Sequence, residues 1–240
     1  MNNSNKIKNL KPIIDHFEKH GEELRFSIGQ SICTENYLPG QIFLITKGSA
    51  RLITNIDGNL KTIKKLLPGS LIGIASLLKG ISCEEVRACE KLIALSLSDK
   101  EFKDLYKNNS KAKKCCDISL LDPELIFLVK RFFNYEKDNN VNLTHFTKTI
   151  LRESKIITLN NYDFESDIFN ENILFSSSLC GGSDEEFEIR NKSELESFLK
   201  KDNDFLPRVI AIQKRFLDKN LHTSAKLKIN LKSPRKEIPL

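Results

Sequence analysis

The sequence predicts an α+β protein, with a small β-barrel or sandwich carrying flanking helices, followed by a smaller region of mixed α/β character. Three observations lead there. Between residues 24 and 97 short runs rich in Ile, Leu, Val or Phe follow one another, most of them closed by Gly or Pro-Gly, the spacing of strands separated by tight turns. Segments with apolar residues at helical spacing flank those runs. From residue 156 onward, strand-like and helical runs mix again.

Each element has its own signal. Pro12 to Gly21 places Ile13, Ile14 and Phe17 on one face, with Pro in the first turn and Gly past the end, which predicts a short amphipathic helix. Strands are expected over 24–28, 41–46, 49–56 and 60–67, before Gly29, Gly48, Asp57-Gly58 and Pro68-Gly69. Asp57-Gly58 is the clearest hairpin turn, because Gly accepts the positive φ that a primed turn demands. Residues 70–80 read as a brief strand, a Gly turn and one or two turns of helix. Strands at 85–89 and 92–97 then lead into a helix capped by Asp99, with Phe102, Leu105 and Tyr106 on its apolar face.

Lys107 to Lys114 is polar, either a linker or the exposed face of a continuing helix, and a boundary is placed there. Residues 118–135 carry a broad apolar face interrupted by Asp122-Pro123 and predict one or two helices. Helix continues over 144–155. Strands follow at 156–159 and 172–177, a loop at Cys180 to Asp184, and helices at 191–201, with Ser193 as cap, and 206–217. Beyond Lys219 the chain is polar and Lys-rich, the pattern of a poorly ordered tail. The expected organisation is a β-roll over 1–110, a helical and mixed connecting domain over 111–218, and a basic flexible tail over 219–240.

Charge and cysteine content narrow the function classes. The net charge of +6 is uneven: residues 1–110 carry 16 basic and 12 acidic side chains, 111–204 carry 13 and 18, and 205–240 carry 9 and 2. The surplus lies in the tail without the dense Lys/Arg run of a dedicated nucleic-acid arm. No stretch reaches the roughly 20 apolar residues of a membrane span, and Met1 to Lys6 lacks the apolar core of a secretory signal, so a cytoplasmic protein is expected. Six cysteines (33, 83, 89, 115, 116, 180) form no C-x-x-C pair and read as reduced thiols. His16 and His20 share a helix face but no third metal ligand accompanies them. Cys180 to Ser183 is a Gly loop with no base placed beside it. Glu84-Glu85 and Asp184 to Glu186 read as solvated acidic edges. No catalytic residue, metal or cofactor is expected.

Four groups of residues recur in one order: Phe26, Gly29 and Ile32; Pro39-Gly40; Ile42 to Ile45 with Gly48, Ala50 and Leu52; and Leu67-Pro68-Gly69-Ser70 with Ile72-Gly73. This set resembles the cyclic-nucleotide-binding domain and covers about a third of the chain. The resemblance implies a double-stranded β-helix, or jelly roll, of the RmlC-like kind. It also implies a phosphate-binding cassette of the form Phe-Gly-Glu-x-Ala-Leu followed by a loop bearing Arg-Ala. In such a cassette, helix N-terminal N–H groups take the cyclic phosphate, Arg neutralises it and Glu takes the ribose 2′-hydroxyl. Here the ligand-site positions fall on Gly73, Ile74, Ala75, Ser76 and Leu77, then on Ser82, Cys83 and Glu84. Ile74 stands where the Glu belongs and Cys83 or a neighbour where the Arg belongs, followed by two carboxylates that repel a phosphate. Arg87 is a displaced candidate, but four residues onward takes its charge out of the cradle. The cassette is thus degenerate and a cyclic nucleotide is not expected.

The segment Pro68 to Leu78 and the run Cys83-Glu84-Glu85-Val86 are similar to the N-terminal region of cyanobacterial-type peptide- or toxin-exporting ABC transporters, as more faintly are Ile173 to Ser178 and Leu206 to Ile210. No membrane domain, phosphate loop or Cys/His peptidase pair accompanies them. The likeness implies a non-catalytic regulatory or docking module with a protein partner, an export transporter or its cargo, held at the inner membrane only through that partner. The alternative is a catabolite-activator-type transcription regulator or cyclic-nucleotide sensor. Against it, residues 111–204 are net acidic, the wrong sign for a phosphate backbone, and DNA is not an expected partner.

Overall fold

A computed structural model describes residues 4–56, 59–132, 149–165, 167–178 and 188–216. Helix α1 (Ser4–His20) leads into strands β1 (Glu22–Phe26), β2 (Ser31–Cys33), β3 (Gln41–Lys47), β4 (Ala50–Ile56), β5 (Asn59–Leu66) and β6 (Leu71–Ile72). Helix α2 (Ile74–Lys79) and strands β7 (Glu85–Ala88) and β8 (Leu92–Ser98) complete the roll. Helices α3 (Asp99–Asn108), α4 (Ser110–Ile118) and α5 (Asp122–Phe132) follow. Strands β9 (Ser154–Ile157), β10 (Asn172–Ser176) and β11 (Glu188–Ile189), helix α6 (Lys192–Leu199) and strand β12 (Val209–Gln213) end the described chain.

The roll consists of two antiparallel four-stranded sheets, ordered β1-β8-β3-β6 and β2-β7-β4-β5, in agreement with the jelly roll expected from the sequence. A third antiparallel sheet, ordered β11-β10-β12-β9, is built from the region after α5. Strand β3 shows how the layers are joined. Its Phe43 and Ile45 face the roll interior, and its Ile42 and Leu44 face a second cluster containing Ile13 and Phe17 of α1, Leu77 and Leu78 of α2 and Phe102 of α3. Both faces are therefore covered, which makes the strand a continuous apolar run.

The interior cluster of the roll continues through Leu125, Leu128 and Val129 of α5 to Ile210 and Ile212 of β12. Val209 and Ala211 on the opposite face of β12 pack with Leu195, Phe198 and Leu199 of α6. This corrects the helix expected over 206–217: β12 is an interior strand buried on both faces, and such a run has no visible period of two. Helical residues resume only at 214–216.

Other boundaries shift for local reasons. Helix α1 starts at Ser4, so Pro12 lies inside it rather than in its first turn. Ser98, not Asp99, caps α3: its hydroxyl accepts from Glu101 N–H at 3.2 Å while the Glu101 carboxylate accepts from Ser98 N–H at 2.8 Å, a reciprocal capping box. Asn109 caps α4, so the polar stretch 107–114 is the continuing helical face rather than a linker. Asn191, not Ser193, caps α6. The Asp57-Gly58 turn, residues 144–148 of the expected helix, the Cys180 to Ser183 loop and the tail after Lys219 lie outside the described residues. No described helix is long and apolar enough to cross a membrane.

Candidate functional site

The expected cassette folds as a unit because one glycine bends the chain. Gly73 has φ +90, and a Cβ there would lie 3.1 Å from the Gln41 carbonyl, so only glycine turns the chain from β6 into α2 at this place. Gly80, at φ 75, closes α2 by donating its N–H to Ser76 and Leu77 carbonyls. Every residue of the helix between them is buried. Ile74 and Leu77 join the cluster beneath α1 and α3.

Ser76 is the centre of what remains polar. Its N–H and its hydroxyl both donate to Oε2 of Glu84, at 3.2 and 3.0 Å, and the hydroxyl accepts from Cys83 N–H at 3.0 Å. The Cys83 thiol lies 3.6 Å from the same hydroxyl. Glu84 is 2% exposed. Burial pushes its carboxyl up to about 7, against the hydrogen bonds from Ser76 and Gly73 that hold it down. Burial also pushes the Cys83 thiol well above its ordinary value, which leaves it a poor nucleophile.

Glu84 is thus no solvated edge, as its sequence context suggests, but a buried carboxyl seated on the backbone and hydroxyl at the start of α2. Glu85 is half-buried, accepting from Glu35 N–H at 3.4 Å and paired with Arg87 at 3.1 Å, so Arg87 is engaged away from the cassette. Of the eight expected positions, Gly73, Ser76, Cys83 and Glu84 converge. Ser82 turns away and donates to the Thr34 carbonyl at 2.6 Å. Ala75 contributes wall.

Beside Glu84 lies a cavity of about 340 Å³. Its apolar wall is formed by Leu52, Leu66, Ile74 and Val86 from the roll, with Leu120 and Leu151 from the region that follows. Lys64 and Asp122 form an ion pair across its rim. Lys64 reaches the cavity because in the β4–β5 register it stands opposite Leu52. The sequence gives no sign of this, since the pairing of β4 and β5 shifts register between Leu52 and Ile53, beside Lys64, and the partner of Lys64 is 58 residues away.

A second buried polar network holds the segment that closes this cavity. The Arg208 guanidinium donates to Glu124 through Nε at 2.6 Å and Nη2 at 2.8 Å, and to the Cys116 and Ser119 carbonyls at 2.7 Å each. The Glu124 carboxylate also accepts from Leu121 N–H at 3.1 Å. Lys79, at the end of α2 and fully buried, donates to the Ser177 carbonyl at 2.6 Å and lies 4.6 Å from the Phe127 ring centre. The Ser177 hydroxyl in turn donates to Glu124 at 3.3 Å. These long-range partners carry no local motif.

His16 and His20 stack at 4.5 Å on α1, and among the described residues no group of three His, Cys, Asp or Glu side chains could hold a metal. Cys33, Cys83 and Cys116 are buried free thiols.

Residues 23–109 match the family described as Cyclic nucleotide-binding domain. Solved structures with similar coordinates include the catabolite activator protein of Thermus thermophilus, at 23% identity over 42% of this chain and 49% of that one, with a TM-score of 0.39. Another is a putative cyclic nucleotide-binding protein of Geobacter metallireducens, at 20% identity over 43% and 76%, with a TM-score of 0.37. A third is the c-di-GMP responsive global regulator CLP of Xanthomonas campestris, at 15% identity over 40% and 47%, with a TM-score of 0.36. The aligned part spans about half the length of the first of these. No curated protein matches the chain. The roll over residues 23–109 therefore has the cyclic nucleotide-binding fold.

Proposed function

We propose that the chain is a non-catalytic regulatory or docking module whose roll does not take a cyclic nucleotide. The observation that carries this reading is the position of Glu84: its carboxylate accepts from Ser76 N–H and Oγ at the start of α2, where the family resemblance puts the cyclic phosphate. A phosphate entering there would have to displace a buried carboxylate or sit beside it, and like charges in a site of low polarity repel strongly. Ile74 in place of the ribose-binding Glu and Cys83 in place of the Arg point the same way. The polar groups in the cavity are tied to structural partners, Glu84 to Ser76 and Lys64 to Asp122. That arrangement holds a shape and leaves no free acid–base pair among the described residues that line the cavity.

For the partner we infer an ABC-type peptide or toxin exporter or its cargo, on the likeness of Pro68 to Leu78 and of Cys83 to Val86. The module would then act in the cytoplasm at the transporter. The transcription-regulator alternative needs a helix-turn-helix after the roll, whereas α3, α4 and α5 pack against the roll and the described residues after α5 build β9, β10, β11 and β12 with α6.

Calorimetric titration of the full chain with cyclic AMP and with cyclic GMP tests the reading. No saturable heat is expected from either, and micromolar binding of one would overturn it.

A further inference from the structure

We propose that the cavity beside Glu84 is a binding site for a small aliphatic molecule bearing a protonated amine, seated with its ammonium group at the Glu84 carboxylate. This rests on the reading that the roll does not hold a cyclic nucleotide, and it names what the same cavity takes instead. The volume of about 340 Å³ falls at the lower end of the range of small-molecule pockets. Its walls are Leu, Ile and Val side chains, and among the described residues lining it none is aromatic. A hydrocarbon chain loses water and gains contact there, whereas a planar base finds no ring to stack against.

The charges decide the head group. Lys64 and Asp122 face each other at the rim and cancel. Glu84 is the remaining charged residue of the lining, so the cavity has an unbalanced acid and no spare cation. A carboxylate offers roughly four acceptor directions, and Ser76 N–H and Ser76 Oγ, both on Oε2, use two of them. A donor from a ligand can take another. An ammonium group donates and neutralises the buried charge at once, an alcohol only donates, and a carboxylate repels.

The test uses the full chain and three probes with one tail, decylamine, decanol and decanoate, titrated calorimetrically below their micelle concentrations, with cyclic AMP alongside. Decylamine is expected to bind about tenfold more tightly than decanol, and decanoate more weakly than either. Glu84→Gln should bring decylamine down to the affinity of decanol while leaving decanol unchanged. Leu120→Trp should block all three probes while its urea transition stays close to the parent's, which separates a filled cavity from an unfolded chain. No binding of any probe to the parent, or an amine preference that survives Glu84→Gln, would overturn the proposal. Binding of cyclic AMP would instead overturn the reading of the roll on which it rests.

Discussion

In the roll, five glycines with positive φ (Gly29, Gly48, Gly69, Gly73 and Gly80) place the turns, and alternating apolar residues fill the space between two sheets. In the region after residue 110 a fully buried ion pair does the comparable work, with Arg208 and Glu124 tying the end of α4, the start of α5 and the entry to β12. The first device is local and each part acts within a few residues. The second joins groups 84 to 92 residues apart in the chain. The roll should therefore tolerate the loss of one device, whereas the second region should not.

The largest effect is expected where the second device is broken. Arg208 and Glu124 side chains are 1% and 0% exposed, so Arg208→Met strands a buried carboxylate together with the Cys116 and Ser119 carbonyls. Breaking a buried pair in this way costs about 3–5 kcal/mol. The double variant Arg208→Met with Glu124→Met removes the stranded charge and should recover much of that loss, because apolar replacements of a buried pair are often close to neutral. Urea denaturation of the parent, the single and the double variant gives the comparison. A single variant within about 1 kcal/mol of the parent would mean that the pair does not hold this region.

Glu84 puts a buried acid into the roll, where Lys79 is the other buried charged side chain among the described residues, and it should make that region sensitive to pH. Its carboxyl is raised from an ordinary 4.5 to about 7, so the folded chain binds this proton more tightly than the unfolded chain does. Stability from this group is fully present below pH 4.5 and falls as pH rises towards 7. A shift of this size corresponds to about 3 kcal/mol. Glu84→Gln cannot titrate, and the difference in unfolding free energy between parent and variant should move by that amount between pH 4.5 and 8. Parallel curves over that range would show that Glu84 is not buried as an acid.

How far each region can be read from sequence follows from the same contrast. Strands β3 and β12 are both buried on both faces and both appear as unbroken apolar runs. The first is legible because Pro39-Gly40 and Gly48 bracket it. The second has Pro207 before it but only Gln213 and Lys214 after it, and its run into Arg215 and Phe216 imitates helical spacing. The glycine frame also brings the cassette positions into view. Burial of Glu84 does not show in the sequence, since Glu84-Glu85 looks the same whether one or both face water. Lys64, Lys79 and Arg208 are cations whose partners lie far along the chain, and no local pattern marks a cation that will be buried or paired.

Within the roll, two glycines of nearly equal backbone angle separate what a turn needs from what packing needs. Gly29 has φ +78 and an added Cβ would meet nothing within 4 Å. Gly48 has φ +80, but its Cβ would lie 2.5 Å from the Lys91 carbonyl and 3.0 Å from the Leu92 Cα. Gly29→Ala then carries only the cost of a left-handed conformation, about 1–2 kcal/mol. Gly48→Ala carries the same cost and must also push β3 away from the β7–β8 turn, which adds about 1–3 kcal/mol as overpacking does. The collision is with backbone, so no rotamer change relieves it. Because φ is matched, the difference between the two alanine variants in thermal or urea unfolding isolates the close approach of the chain at Gly48. Equal losses would place the whole requirement for glycine in the turn itself, and the roll would then be held by its turns alone rather than by turns fitted against neighbouring strands.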